Sequence, residues 1–340
     1  MSGRILLGHG GGGSLSQRLI DTELRPLYAD PTAPLHDAAS LALPHGRLAF
    51  STDGYVVHPL EFPGGDIGRL AVVGTCNDLA MAGARPWALS LGLILEEGLE
   101  FTLLRRILAS VAAAAAECAV QVVTGDTKVV ERGKADGAFL TTSGIGLLMA
   151  EQPIGPGRIS AGDQLVVSGD LGRHGMAILM ARHGLDPHPP LLSDCAPLWP
   201  LVEALLARGV QLHCLRDLTR GGLASALHEL AMAAGLQVRL SEERIPVSPA
   251  VRRGADLLGL DPLHLANEGR MVVVVDSADL EATLAVLEPH GGAWIGAVEG
   301  EQGPAGAAAH PAGPRLLLRT AFGSERVLSP PAGDLLPRIC

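Results

Sequence analysis

The sequence predicts a two-domain chain of mixed α/β (α+β) class, on three observations. The chain has 340 residues, and at about 150 residues per domain roughly two domains fit. Strand-length apolar runs mix with helix-period patterns along the whole length, the grammar of α/β and α+β folds. Residues 151–162 (EQPIGPGRISAG) hold two Pro and three Gly, which marks a boundary. The expected division is a first domain over 1–150, a second over 151–325, and a tail over 326–340.

In chain order, a glycine run at 10–13 leads into a helical pattern over 15–27. Residues 48–57 alternate as a strand with Asp53-Gly54 inside it, and 67–81 carry Leu70, Val73, Leu79 and Met81 near helical spacing. A buried strand is expected over 87–95, an Ala-rich helix over 102–118, a short strand over 120–124 ending at Gly125-Asp126, and a strand over 139–148; Ala favours helix strongly. In the second half the pattern predicts strands at 164–168 and 270–276, the latter around VVVV. Helices are expected at 175–183, 198–208, 222–234 and 280–287. Residues 301–314 (EQGPAGAAAHPAGP) read as a low-complexity surface loop, and 329–340 show no periodicity.

Composition excludes several function classes. The net charge is −10, against the basic face of a nucleic-acid binder. A hydrophobic fraction of 47% supplies a core and argues against disorder. Five Cys with no CxxC pair fit neither a disulfide scaffold nor a structural zinc site. The apolar runs are shorter than a membrane span or a signal peptide requires, so a cytoplasmic protein with no membrane partner is expected.

Several constellations can carry chemistry. Gly11 and Gly12, within the glycine run before a helix, offer converging N–H groups for an anion, or serve as a linker. Asp53, Asp78 and Asp126 lie beside apolar segments. Each reads as a turn or cap residue, or as an oxygen ligand of Mg²⁺ if the three converge. Lys128 and Lys134 flank the segment GDTKVVERGKADG in a chain with only 26 basic residues; they read as solvated loop lysines or as phosphate partners. Asp217 to Gly222 (DLTRGG) precedes a helix, and Asn267-Glu268-Gly269 precedes VVVV, as a turn or with Glu268 as a base. The last residue is Cys340, after Pro337 and Arg338. A thiol at the end of a mobile tail suggests a swinging carrier, since twelve extended residues reach about 40 Å.

Taken together, LGHGGGG, FSTDGYVVHPL, GGDIGRLAVVGTCNDLAMAGA, VVTGDTKVVERGKADG, LRDLTRGGLASAL, ANEGRMVVVV and the closing LPRIC resemble the HypE family of carbamoyl dehydratases in NiFe-hydrogenase maturation. That family lies within the superfamily of aminoimidazole ribonucleotide synthetase and selenophosphate synthetase. The resemblance spans nearly the whole chain, and the terminal PRIC is its most specific part. It implies an aminoimidazole ribonucleotide synthetase-like two-domain fold and a sheet-mediated homodimer with ATP at the interface. The implied reaction is ATP-dependent dehydration of a carbamoyl group on the Cys340 thiol to a thiocyanate. The implied cofactors are ATP and Mg²⁺. The implied partners are a HypF-like carbamoyltransferase, which loads the thiol, and a HypC–HypD-like complex, which receives the cyano group.

The resemblance assigns nucleotide binding to Gly11, Gly12, Asp53, Asn77, Asp78, Gly125, Asp126 and Lys128, with the three Asp as metal ligands. Cys340, Lys134 and Glu268 are the expected catalytic residues: carrier thiol, charge stabiliser or proton relay, and base. Arg173 stands where the family usually has Asp, Leu218 where it usually has Pro, and Gly54 leaves one side chain fewer near the nucleotide. A selenophosphate synthetase would need a reactive Cys near the N-terminal glycines, and none precedes Cys76. A non-catalytic carrier scaffold would have no need of the acidic and basic sites.

Overall fold

Alternating exposure makes Leu48–Tyr55 a strand, β1, with Ser51, Asp53 and Tyr55 on one face and Phe50 and Thr52 on the other. It belongs to the first of two units into which a computed structural model divides the chain. The structure describes residues 3–11, 13–28, 38–39, 41–42, 45–185, 187–300, 316–329 and 338–340. The first unit comprises Met1–Ala80, Ala84–Met149 and Arg338–Cys340; the second comprises Met81–Gly83 and Ala150–Pro337.

In the first unit, β2 (Glu61–Phe62) and β3 (Gly65–Asp66) form a small antiparallel pair. The main sheet adds β4 (Ala84–Glu96), β5 (Gln121–Val130) and β6 (Ala138–Leu148) in the order β1-β6-β4-β5. Strands β1 and β4 flank β6 antiparallel, and β4 pairs β5 parallel. A parallel pair needs a long crossover, which α-helical Phe101–Glu117 supplies between them. The predicted helix over 15–27 is helical throughout, but its α part, α1, is only Ser14–Leu19, followed by a π turn and a 3₁₀ turn. Pro26 lacks the N–H that an α ladder would use there. Helix α2 is Ile67–Met81, as the spacing predicts, and Phe101–Glu117 is α3. The strand expected to stop at residue 124 instead continues through Gly125 and Asp126 to Val130, paired to β4 all the way. An edge strand tolerates polar residues because it is open to solvent on one side.

Helices α2 and α3 approach closely at Gly68, where an added Cβ would lie 2.3 Å from the Ile107 carbonyl oxygen. Leu70, Ile107 and Val111 are buried at this junction. The opposite sheet face carries Leu48, Phe50 and Thr52 towards solvent, with Phe50 70% exposed.

The second unit holds a seven-stranded sheet in the order β13-β12-β9-β11-β7-β10-β8. Its strands are β7 (Gln164–Val167), β8 (Leu212–Asp217), β9 (Gln237–Ser241), β10 (Met271–Val275), β11 (Ala293–Glu299), β12 (Leu316–Arg319) and β13 (Glu325–Val327). Its helices are α4 (Arg173–Arg182), α5 (Trp199–Ala207), α6 (Gly222–Ala234), α7 (Pro249–Leu258) and α8 (Leu280–Leu287). All five residues of β10 are buried, as a near-continuous apolar strand covered on both faces must be. Leu223, Leu227 and Leu230 of α6 pack with Leu165, Val272, Val274 and Ile295 in one core. Arg326 and Val327, assigned from sequence to the tail, lie in β13. Among the described residues, no helix is long and apolar enough to cross a membrane.

The Gly68 junction yields a stability test. Gly68→Ala places a methyl group against backbone, which a flexible side chain cannot relieve. Overpacking of this kind costs about 2 kcal/mol, so the urea midpoint should fall while the slope of the transition is unchanged.

Candidate active site

The first unit presents two polar edges. At one, Ser51 Oγ of β1 donates to Asp78 Oδ2 of α2 at 2.7 Å. Asp53, two residues along β1 on the same face, accepts the Gly54 N–H at 2.7 Å. The register between β1 and α2 is set deeper down. Tyr55 Oη pairs with Thr75 Oγ1 at 3.0 Å, and Thr75 with Thr142 Oγ1 at 2.6 Å. Thr142 in turn donates to the Ala71 carbonyl at 2.9 Å. Asn77, just beyond Thr75, is buried.

At the other edge, Asp126 of β5 accepts from Lys128 Nζ at 2.9 Å and from the Thr127 N–H at 2.8 Å. The Lys128 hydrogen bond is the main reason the Asp126 carboxyl sits below the usual carboxylate range. Both side chains are mostly exposed. Gly125 is required by β4, because a Cβ there would lie 2.3 Å from the Leu91 carbonyl oxygen. The N-terminal glycines reach the same edge: a Cβ on Gly10 would fall 2.6 Å from the Val129 nitrogen. Gly11 follows with its N–H on the Gly8 carbonyl. Gly12 lies outside the described residues. Tyr28 also belongs to this edge and was missed in the sequence reading. Burial, then the nearby Asp126 charge, push its hydroxyl pKa up. An isolated Tyr after an irregular helix gives no periodic signal.

The structure does not bring the three predicted metal ligands together in one chain. Asp53 registers with Thr142, Thr142 with Leu91, and Leu91 with Gly125. Asp53 and Asp126 therefore stand about three strand spacings apart, roughly 14 Å. Among the described residues, no three His, Cys, Asp or Glu side chains group to hold a metal. Asp53 and Asp78, with Ser51 beside them, are all-oxygen donors of the type a hard cation takes. They fit part of a Mg²⁺ site, and Asp126 is committed to Lys128 on the far edge.

Lys134 sits on the turn after β5, its N–H bonded to the Glu131 carbonyl at 3.1 Å. The end of the chain is seated nearby in sequence register. The Val56 N–H donates to the Cys340 carbonyl at 3.1 Å, and the His58 N–H to the Arg338 carbonyl at 3.2 Å. The last three residues thus run antiparallel to the segment that continues β1, just past Asp53, with Ile339 buried. Cys340 is partly exposed, and the other four cysteines are buried.

In the second unit, segments far apart in sequence are tied around Glu268, which is 3% exposed. Asp194 accepts the N–H groups of His174 at 3.0 Å, Glu268 at 3.4 Å and Gly269 at 3.3 Å. The Asn267 side chain accepts from the Gly172 N–H at 2.7 Å and donates to the carbonyls of Leu218 and Leu265. Glu268 is a candidate from the sequence; Asp194 is not, because its role depends on folded contacts. Arg173 has a structural role: its Nε donates to Asp170 at 2.7 Å, and Arg270 holds the other Asp170 oxygen at 2.9 Å. Burial works against the Asp170 charge, yet the two arginines outweigh it and keep the pKa low. Leu218 donates its N–H to the Arg270 carbonyl at 3.0 Å, a bond that proline cannot make.

The depressed Asp170 pKa fixes a sign. A carboxyl whose folded pKa is lowered contributes stability that is present above its unfolded pKa, about 4, and lost as pH falls through the folded value. Asp170→Asn should cost about 2 kcal/mol at neutral pH by leaving two half-buried arginines short of a partner. Urea titrations across an acid series should show the gap between wild type and variant closing below about pH 4.

Two family models match the chain: AIR synthase related protein, N-terminal domain, over residues 35–148, and its C-terminal domain over 160–307. The carbamoyl dehydratase HypE of Rhodobacter capsulatus is 47% identical over 341 residues, covering 99% of this chain and 98% of that protein. A crystal structure of the hydrogenase maturation protein HypE in complex with ATP superposes with a TM-score of 0.93 at 45% identity, covering 98% of this chain and 99% of that one. A crystal structure of a HypE–HypF complex matches at a TM-score of 0.78 and 37% identity, covering 94% of this chain and all of that one.

Proposed function

The chain belongs to the HypE carbamoyl dehydratase family of AIR synthase related proteins, and we propose that it dehydrates a carbamoyl group carried on its own C-terminal thiol, at the expense of ATP. The observation that carries this reading is the seat of Cys340, laid antiparallel against the backbone that continues the Asp53 strand.

The reaction balances as follows. The carboxamide oxygen of the S-carbamoyl group attacks the γ-phosphorus, and the bond to the ADP oxygen breaks. One N–H proton leaves, giving an O-phosphorylated imidate. Loss of the second proton with phosphate leaves a thiocyanate on Cys340 Sγ. Phosphoryl transfer rests on positioning and charge neutralisation. Lys128 and Lys134 supply cations for the phosphates, and Gly11, Asn77 and Gly125 belong to backbone and polar groups lining the nucleotide. Glu268 is the candidate base for the activated amide, since general bases of this kind work from sheltered positions. Mg²⁺, when bound to Asp53 and Asp78, would offset phosphate charge. Water exclusion protects the phosphorylated intermediate from hydrolysis.

A homodimer accommodates the placement of the acidic residues. Asp53 and Asp78 lie at one sheet edge and Asp126 at the other, so a site that uses all three draws on two chains. The open sheet face bearing Leu48 and Phe50 is an apolar surface that pairing would cover. A HypF-like carbamoyltransferase would load Cys340, and a HypC–HypD-like complex would take the cyano group in the cytoplasm.

Intact-mass analysis tests the reading. After incubation with such a carbamoyltransferase, carbamoyl phosphate and Mg-ATP, the C-terminal peptide should gain a carbamoyl group and then lose one water. An adduct retained on Cys340→Ala would overturn the carrier thiol. Asp126→Asn should weaken Mg-ATP binding roughly tenfold, about 1.4 kcal/mol; unchanged affinity by calorimetry would remove Asp126 from the nucleotide site.

A further inference from the structure

We infer that Asp136 is the docking post for Arg338, that Glu96 holds this post in place, and that the two together position the terminal thiol. The inference rests on the reading of Cys340 as the carrier thiol, and it adds three positioning residues to that reading.

The loop between β5 and β6 carries both Lys134 and Asp136. It is folded around one carboxylate. Glu96, the last residue of β4, accepts the N–H groups of Gly133 at 2.9 Å, Ala135 at 3.1 Å and Gly137 at 3.5 Å. Its own backbone N–H returns to the Gly137 carbonyl at 2.8 Å. These bonds, led by that from Gly133, hold the Glu96 carboxyl below the usual range. Alternate N–H groups of the loop are thus spent on Glu96.

Asp136 lies between two of those anchored residues and pairs with Arg338 at 2.5 Å. Arg338 takes φ +56°, a left-handed conformation unfavourable for a residue with a Cβ. Such a conformation persists where surrounding contacts over-determine it. Three are present: the ion pair, the two main-chain bonds to Val56 and His58, and the burial of Ile339. The pair is half open to water, with Arg338 54% and Asp136 30% exposed. An exposed pair is weak and screened by salt. It favours one seat for the tail while leaving it free to leave for a partner. Because Lys134 and Asp136 share one clamped loop, seating the tail and placing Lys134 are set by the same carboxylate.

Alkylation of Cys340 by iodoacetamide, followed on the C-terminal peptide by mass spectrometry, reads the seat directly. It needs neither ATP nor a carbamoyl donor, and the four other cysteines are buried. Asp136→Asn should raise the rate several-fold at low salt, and Glu96→Gln should do the same through the loop. Added salt should speed wild type towards the variant. Arg338→Lys should stay near wild type, and the exchange of charges in Asp136→Arg with Arg338→Asp should restore slow labelling. In single-turnover dehydration the Asp136→Asn variant should lose kcat with its KM for Mg-ATP unchanged. An Asp136→Asn protein that melts normally and labels at the wild-type rate would falsify the docking post, even if dehydration proceeds. If that variant fails to fold, Arg338→Gln applies the same test from the tail, and unchanged labelling there has the same meaning. Altered labelling with no dehydration in wild type would instead leave the post standing and sink the functional reading.

Discussion

The first unit depends on a chain of buried hydroxyls. Tyr55, Thr75 and Thr142 bond in sequence and end on the Ala71 carbonyl. A buried hydroxyl without a partner costs more than a satisfied one contributes. Sliding or rotating α2 against the sheet would strand several at once, so the helix has one register. Asn77 and Asp78 lie within one helical turn of Thr75, and that register delivers Asp78 to Ser51. Glycine at position 68 lets α3 back α2 closely enough to hold it there.

Sheet topology then decides what one chain can assemble. Strands β1 and β5 are the two outer strands, and no side chain spans the sheet between them. Asp53, Asp78 and the seated tail gather on the β1 side; Asp126, Lys128, Tyr28 and the N-terminal glycines gather on the β5 side. Charge follows the same division. Asp126 is balanced by Lys128 within two residues, whereas Asp53 bonds only locally to the next N–H among its side-chain bonds described above. A carboxylate with little internal compensation is suited to a cation or to phosphate-bound metal.

Local pattern made much of the fold legible. The helices at 67–81 and 280–287 and the strand around VVVV stand where their periodicity places them. The sequence also singled out Glu268, Asp126 and Cys340 as candidates. Three kinds of feature were not legible. Short strands such as β9 and β12 carry mixed sequence, and they pair with each other across a long stretch of chain. Strand β5 runs through a Gly-Asp pair that reads locally as a turn, because pairing with β4 overrides it. Supporting carboxylates such as Glu96 and Asp194 act only through backbone N–H groups brought together by folding. Their own sequence neighbourhoods carry no signal for that role.

Carboxylates therefore differ in role by what they touch, from scaffold groups to those left for a cation such as Asp53. Asp194, Asp170 and Glu96 spend their oxygens on backbone N–H groups or arginines, which makes them parts of the scaffold. Asp136 belongs to neither extreme. It is fixed in place by a scaffold carboxylate, yet its own partner arrives from the far end of the chain. Depth bears on whether that partner could leave, as the proposed carrier role requires. Opening a fully buried pair would leave a buried charge without its partner, which would oppose release of the tail. At half exposure, water replaces each partner as the pair opens, which on the proposed carrier role would let the tail be held at one station and still be released to the next.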